Sequence, residues 1–515
     1  MNVKSYVQGE WVSGSSDGLN VFNAINGEIV GLVSSAGIDF KAVVEYARQK
    51  GQDGLRDLTF HQRADKLKAL AKYLSDQKEK LYEVSAWTGA TRTDSWVDIE
   101  GGIGTLFSYS SQARAELPDK KFIVEGDQEG LSKEGSFVGQ HILVTKPGVA
   151  VHINAYNFPC WGMLEKLAPS LIAGVPVVVK PASVTCYLTE VMTREIINSG
   201  ILPEGSVQLI CGSLGDLLEH LNEQDIVTFT GSASTGQKLK SHPNIVVNSI
   251  PFNMEADSLN CCILGETVEI DSPEFDLYIK EIVREMTMKA GQKCTAIRRA
   301  IVPASKTDVV IQAIQARLQK TVIGDPTVEG VRMGSLVGME QVKDVWDKVN
   351  QLAGECELVY GGNRDFEVVG GDREKGAFFP LTLFYCDEPM KKLLPHSVEA
   401  FGPVCTVMPY TGIDEAVEIA SMGKGSLVGS VFTANDQEAK EIIFGAAAYH
   451  GRMLIINDTC AKESTGHGTA MSKLVHGGPG RAGGGEELGG IRAVKHYMQR
   501  IALQGSPDTL SYITA

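Results

Sequence analysis

The sequence predicts an α/β protein built on parallel sheets, and three observations carry that reading. After residue 148, short β-rich runs alternate with helical ones: 149–153, a helix through Leu164, Leu167 and Leu171, then 175–179, 207–211 and 226–230. Alternation at this spacing reads as βαβ units. A second apolar α/β region runs from about Asn260 to Met408, punctuated by Gly361-Gly362 and Gly370-Gly371. Finally, 515 residues with 43% hydrophobic and 22% charged content supply a large core, and at roughly 150 residues per domain they give about three folding units.

The elements follow in order. The first residues, Met1-Asn2-Val3-Lys4-Ser5-Tyr6, lack an apolar stretch of signal-peptide length, and no run approaches the roughly 20 apolar residues of a membrane span. Neither secretion nor membrane insertion is expected, and a cytoplasmic location fits. Leu67, Leu70, Ala71 and Leu74 mark one face of an amphipathic helix. Residues 122–145 are polar with strand-like ends, consistent either with an arm pairing with another subunit or with a surface hairpin. A strand is expected at 246–250 and its continuation, leading to Glu255. The run Gly477-Gly478-Pro479-Gly480-Arg481-Ala482-Gly483-Gly484-Gly485 is read as a loop.

Charge and cysteine content narrow the function classes. A net charge of −15 lacks the electrostatic footprint of a nucleic-acid binder, so an anionic ligand needs a local basic pocket. Ten cysteines without a CxxC pair indicate neither a zinc ribbon nor a disulfide scaffold. No metal site is expected.

Several short stretches carry chemistry. Gly291-Gln292-Lys293-Cys294-Thr295-Ala296 follows a helical pattern at 278–288 and sets one thiol among small and polar residues. Lys293 and backbone N–H groups there can favour a thiolate. Glu255, in Asn253-Met254-Glu255-Ala256-Asp257-Ser258, suits a general base if desolvated. Asn157, opening a turn after a strand, can donate to an oxyanion. Phe229-Thr230-Gly231-Ser232-Ala233-Ser234-Thr235-Gly236 is a strand–turn–helix whose small residues admit phosphates, although it lacks GxGxxG. Val179-Lys180-Pro181-Ala182-Ser183 ends a strand on an ammonium able to reach ribose or phosphate oxygens.

Taken together and in this order, these motifs resemble the NAD(P)-dependent aldehyde dehydrogenase superfamily along essentially the whole chain. The resemblance implies an aldehyde dehydrogenase fold of two Rossmann-like parallel-sheet domains plus a small β oligomerisation arm. It assigns Asn157 to the oxyanion motif, Lys180 to the cofactor strand, Gly231 and Ser232 to the phosphate loop, Glu255 to the general-base motif and Cys294 to the nucleophile motif. In Glu399-Ala400-Phe401-Gly402-Pro403 it makes Glu399 the holder of the nicotinamide ribose and packs Phe401 near that ring. A narrower likeness lies in residues 96–106, 254–260 and 476–490. These look like the aldehyde dehydrogenase domain of bifunctional oxepin-CoA ring-opening enzymes of bacterial phenylacetate degradation, with the 3,4-dehydroadipyl-CoA semialdehyde dehydrogenases as near relatives.

The expectations that follow are specific. Residues 1–121 and 146–255 form the NADP-binding domain, 256–475 the catalytic domain, and 122–145 with 495–515 the oligomerisation segments of a homodimer or larger homo-oligomer. The substrate is a CoA-thioester semialdehyde of the 3-oxo-5,6-dehydrosuberyl type, with 3,4-dehydroadipyl-CoA semialdehyde or a simple aldehyde as alternatives, and a non-catalytic binding role as a more distant one. NAD-preferring relatives commonly carry Glu three residues after the strand lysine. Here Ser183 removes the repulsion of a 2′-phosphate, so NADP is expected over NAD. The base motif reads Glu-Ala-Asp-Ser where most of the superfamily has Glu-Leu-Gly-Gly, which bears on how Glu255 is positioned. The bifunctional relatives continue into a hydratase domain, so a separate enoyl-CoA hydratase is expected to supply the aldehyde. Arg298, Arg299 and Arg481 are candidate CoA-binding cations, with solvated surface positions the expected alternative.

Overall fold

In the computed structural model, which describes residues 2–15 and 18–515 with all their side chains except those of Glu487 and Leu488, the alternating runs assemble into a seven-stranded sheet. Its order is Phe252–Glu255, Ile226–Thr230, Ala150–Ile153, Val177–Lys180, Val207–Leu209, Ser5–Val7 and Glu10–Val12. The first five strands are parallel and the two N-terminal ones join antiparallel. Counted along the chain, the parallel strands lie in the order 5-4-1-2-3, so the winding reverses between Ala150–Ile153 and Ile226–Thr230. In a doubly wound sheet ligands bind beyond the carboxyl ends of the strands at such a reversal. Val177, Val178 and Val179 are all buried, as expected for a central strand covered on both faces.

Helices supply that cover. Phe60–Ser85 buries Leu67, Leu70, Ala71 and Leu74, and starts on a capping box in which Thr59 and Gln62 satisfy each other's backbone N–H. Arg92–Glu116 packs beside it. Pro159–Ala173 lies across both and is almost wholly buried. Gly101 and Gly102 make that crossing possible, since a Cβ on Gly101 would meet the Trp161 ring at 2.6 Å.

The second apolar region forms another seven-stranded sheet: Glu357–Gly361, Thr382–Tyr385, Val404–Tyr410, Ile297–Pro303, Asn260–Leu264, Ser426–Phe432 and His450–Ile456. All neighbours are parallel except the edge strand Glu357–Gly361. Phe122–Gly130 and Val138–Thr145 form an antiparallel hairpin, to which Met498–Gly505 adds a third strand in eight-residue register with Val138–Thr145. No described helix is long and apolar enough to cross a membrane.

One local expectation is corrected. There is no strand at 246–250: Pro243–Val247 is a helix, and the strand is Phe252–Glu255. Pro243 presets the helical φ and the His242 ring accepts from Asn244 N at 3.3 Å, while Val246 and Val247 point to solvent at 62% and 79% exposure, so their β-branched character serves no core. The Gly-dense run is a loop, as expected, framed by the paired short strands His476–Gly477 and Glu486–Leu488 and holding one 3-10 turn over Gly480–Ala482. Its glycines permit contact with the Glu255 strand: a Cβ on Gly483 would meet Met254 O at 2.2 Å, and one on Gly485 would meet Asn253 Oδ1 at 2.2 Å.

Candidate active site

The segment before Cys294 turns sharply. After the helix Pro273–Thr287, Lys289, Ala290 and Gly291 lie consecutively in the left-handed region, with φ of 53°, 50° and 70°. Two of the three carry side chains, a conformation costing about 1 kcal/mol or more per residue. Surrounding contacts enforce it. Lys289 N donates to Asp94 Oδ1 at 2.8 Å and its ammonium to Thr88 Oγ1 at 2.8 Å. Gly291 packs so closely on Gly402 that a Cβ would sit 2.2 Å from its carbonyl oxygen. Beyond the turn, Asn260 Nδ2 donates to Cys294 O at 2.8 Å and to Ala296 O at 2.9 Å, fixing the cysteine to the second sheet.

Cys294 therefore stands at the junction of two cavities. One, of about 70 Å³, is walled by Val97, Phe158, Trp161, Met288 and Thr469 together with Glu165, Lys166 and His476. The other, of about 690 Å³, runs along the carboxyl ends of the first sheet past Lys180, Gly231, Ser232, Glu399 and Phe401. Asn157, Thr230, Glu255 and Cys294 line both. Of the ten cysteines, all free, Cys294 and Cys460 alone are partly exposed.

Electrostatics at the junction are specific. Burial and the neighbouring Glu255 carboxylate push the Cys294 thiol well above its ordinary value. Glu255 is buried at the end of its strand, with its Oε2 3.3 Å from His476 Nε2. Burial works against an imidazolium at His476, but the Glu255 charge and hydrogen bond outweigh it and raise the His476 pKa. Asn157 Nδ2 donates to Gln292 O at 3.0 Å, which orients the amide toward the cysteine turn. Lys293 does not face the thiol as a free cation, because its ammonium is paired with Glu285 Oε1 at 2.6 Å.

The long cleft suits a dinucleotide by its own chemistry. Both amide atoms of Asn154 and Oε1 of Glu399 are buried there with no hydrogen-bond partner among the described residues, so polar ligand groups have counterparts waiting. Gly231 and Ser232 open the helix Ala233–Lys240, whose Ala233 N is taken by Asp257 Oδ1 at 2.8 Å. This is where Glu-Ala-Asp-Ser departs from the commoner motif. Asp257 occupies a helix-start N–H, and Ser258 Oγ ties the backbone by donating to Asn260 Oδ1 at 2.6 Å and accepting from Leu427 N at 2.9 Å. Phe401 stands edge-on to Tyr156, with centroids 5.9 Å apart. Lys180 and Ala182 line the cleft, whereas Ser183 lies just past it in the turn Ser183–Thr185.

Arg298 and Arg299 are not solvated. Both are buried and bind backbone carbonyls: Arg298 reaches those of Gly402, Gly291 and Lys293, and Arg299 those of Leu259, Ile419 and Ala420. Buried this deeply on the orphan carbonyls of a tight turn and of a helix end, neither is exposed to meet a CoA phosphate. Arg481 likewise binds the carbonyls of His396 and Ser397.

Three further residues lining the small pocket carry no separate signal in the sequence. Glu165 and Lys166 form an ion pair at 3.2 Å within the buried helix Pro159–Ala173. Glu165 Oε2 also accepts from Trp161 Nε1 at 3.0 Å. His476 falls inside a recognised motif, but only the pairing of His476–Gly477 with Glu486–Leu488 shows that it reaches Glu255.

Known proteins resemble the chain along most of its length. Residues 11–502 match the Aldehyde dehydrogenase family. The chain is 43% identical over 480 residues to 3,4-dehydroadipyl-CoA semialdehyde dehydrogenase of Aromatoleum evansii, covering 93% of each chain. It is 53% identical over 182 residues to Protein MaoC of Klebsiella aerogenes, a match to 35% of this chain and 52% of that one. A crystal structure of betaine aldehyde dehydrogenase from Staphylococcus aureus in complex with NAD+ has the same fold, with a TM-score of 0.85 at 22% identity over 98% of this chain and 95% of that one. The chain belongs to the aldehyde dehydrogenase family.

Proposed function

We propose that this enzyme oxidises a CoA-linked semialdehyde to the carboxylic acid with NADP as oxidant, in aerobic aromatic degradation. The observation that carries the chemistry is the meeting of the two cavities at Cys294, Asn157 and Glu255. A thiol, an amide donor and a buried carboxylate face both an aldehyde-sized pocket and a dinucleotide-sized cleft. The CoA-linked substrate rests on the likeness to 3,4-dehydroadipyl-CoA semialdehyde dehydrogenase; a 3-oxo-5,6-dehydrosuberyl-CoA semialdehyde is chemically equivalent at the reacting end.

Glu255 accepts the Cys294 proton as the thiolate adds to the aldehyde carbon. The oxyanion that forms takes hydrogen bonds from the second N–H of Asn157 and from the Cys294 backbone N–H. A nicotinamide dinucleotide in the cleft supplies the hydride acceptor. Lys180, Gly231 and Ser232 hold its phosphate and adenosine side, Glu399 its nicotinamide ribose, and Phe401 packs near the ring. The acyl group is then a thioester on Sγ. Glu255, having passed the Cys294 proton to solvent, takes a proton from water as the water oxygen attacks the acyl carbon; the C–S bond breaks and that proton returns to Sγ, restoring Cys294 and releasing the acid. A buried base beside the thioester favours hydrolysis over transfer to a thiol.

NADP preference follows from Ser183, whose neutral hydroxyl near Lys180 leaves a 2′-phosphate unopposed. The three-stranded sheet of Phe122–Gly130, Val138–Thr145 and Met498–Gly505 serves as the oligomerisation arm; Ile501 is 39% exposed on its outer strand, an apolar residue awaiting a second copy. A hydratase acting on a CoA thioester supplies the aldehyde.

The test is reduced-nicotinamide formation from an enzymatically generated CoA-linked semialdehyde, with Cys294→Ala and simple aldehydes as controls. Turnover that is lost in Cys294→Ala and slow with simple aldehydes is expected. Turnover with simple aldehydes alone overturns the substrate, and a kcat/KM for NAD at least equal to that for NADP overturns the cofactor.

A further inference from the structure

The proposed steps use Cys294 and Glu255 but give His476 no bond to make or break. Its presence completes a different set. Cys294 Sγ, a Glu255 carboxylate oxygen and a His476 ring nitrogen all lie within 4.8 Å of one another. Thiolate, carboxylate and imidazole are the three side-chain ligand types of zinc, and three protein ligands plus one open position is the pattern of accessible zinc sites.

The distances are close to what a metal requires. With Zn–S near 2.3 Å and Zn–N or Zn–O near 2.0–2.2 Å in tetrahedral geometry, neighbouring ligand atoms stand roughly 3.5 Å apart. Glu255 Oε2 and His476 Nε2 are already 3.3 Å apart. The thiol has to close by about an ångström, within reach of a rotation about its Cα–Cβ bond. The fourth position faces the small pocket, which admits water.

Charge balance also favours a dication. A thiolate and a carboxylate buried together repel, and a doubly charged metal neutralises both at once. The nearby ammonium groups do not oppose it, because Lys293 is paired with Glu285 at 2.6 Å and Lys166 with Glu165 at 3.2 Å.

We propose that Zn2+ binds reversibly to Cys294, Glu255 and His476 and inhibits the enzyme by occupying the thiol and the carboxylate together. Binding displaces the Cys294 proton to solvent and needs no oxidant. The inhibition rests on the proposed function, whereas the metal site does not, so the two fail separately.

Cobalt(II) is the probe for the full-length protein in its resting state, since a Co–thiolate bond gives a near-ultraviolet charge-transfer band and four-coordinate cobalt gives intense visible bands. One equivalent is expected to develop both, and Zn2+ to bleach them. Cys294→Ser is expected to abolish the charge-transfer band and Cys460→Ser to leave it. His476→Gln and His476→Asn, each checked for an unchanged circular dichroism spectrum, are expected to weaken cobalt binding by at least roughly 10-fold, the lower end of what losing even an outer-shell partner of a metal ligand costs. No band at one equivalent, a band that survives Cys294→Ser, or affinity unchanged in both His476 variants overturns the site. With aldehyde oxidation in hand, Zn2+ inhibition should be reversed by a chelator and shifted equally by the His476 variants. Cobalt bands without any aldehyde oxidation overturn the function and leave the metal site standing.

Discussion

His476 Nε2 lies 3.3 Å from Glu255 Oε2, with both side chains almost fully buried. An ion pair so deeply buried holds both side chains in place, so His476 fixes the direction from which Glu255 meets a thiol or a water. His476→Ala is expected to lower kcat roughly 10- to 100-fold with little change in the KM for cofactor, and His476→Gln, which keeps a donor, to recover part of it. Because Glu255 raises the His476 pKa, the imidazolium and its stabilisation of the pair are present at low pH and lost as pH rises through that raised value. The Gln variant should lack this fall on the alkaline side. Steady-state kinetics across pH decide the matter, and a His476→Ala enzyme as fast as the parent rules the role out.

Burial pushes the Glu399 carboxyl up to about 8, although Arg298, with its Nε 3.9 Å away, opposes the shift. Ribose hydroxyls donate hydrogen bonds and so prefer the carboxylate. Cofactor binding to the free enzyme should therefore tighten as pH rises through about 8, with release of a proton, by at most about tenfold per pH unit below that value. Glu399→Gln should flatten the dependence. Fluorescence titration of cofactor at several pH values measures it directly.

Asp98 makes a similar argument for stability. Its Oδ1 accepts from Cys160 N at 3.0 Å and Trp161 N at 2.8 Å, holding the start of the helix Pro159–Ala173. Burial nevertheless raises its pKa to about 6. Between the unfolded value near 4 and about 6 the native state binds more protons, so this group lowers stability as pH rises through that window, by on the order of 3 kcal/mol in all. Asp98→Asn keeps the acceptor and drops the charge. Its melting temperature at neutral pH should equal or exceed the parent's, with a smaller decline between about pH 4 and 6.

Asn260 is saturated: it donates to Cys294 O and Ala296 O and accepts from Ser258 Oγ and Val428 N. Asn260→Ala strands four partners in a dry interior and should cost about 2–4 kcal/mol by chemical denaturation. Activity should fall further than stability, because the same bonds set the position of Cys294, the proposed nucleophile. An Ala variant with native kcat would remove Asn260 from the positioning of Cys294.

What could be read in advance was what is local. The valines of Val177–Lys180, the leucines of Phe60–Ser85 and the strand–turn–helix at Ile226–Thr230 are written in short periods. Cys294, Glu255 and Asn157 are each ambiguous alone, and the structure brings all three to one junction. What escaped is decided at long range. Val246 and Val247 look like a strand but sit exposed on a helix begun by Pro243. Arg298 and Arg299 look like surface cations, yet two carbonyl-rich corners far along the chain claim them. Lys166 looks like any polar helical residue until His476, some 310 positions later, arrives at the same pocket.

The third strand of the arm has a consequence for biosynthesis. Met498–Gly505 pairs with Val138–Thr145 across about 360 residues of intervening chain, and Tyr497 beside it bonds Thr228 at 3.1 Å. While the ribosome is still making the second sheet, the hairpin of Phe122–Gly130 and Val138–Thr145 carries a bare strand edge, open to any neighbouring nascent chain. Premature termination before Met498 would thus yield a polypeptide with most of its core but a sticky rim, a natural client for chaperones.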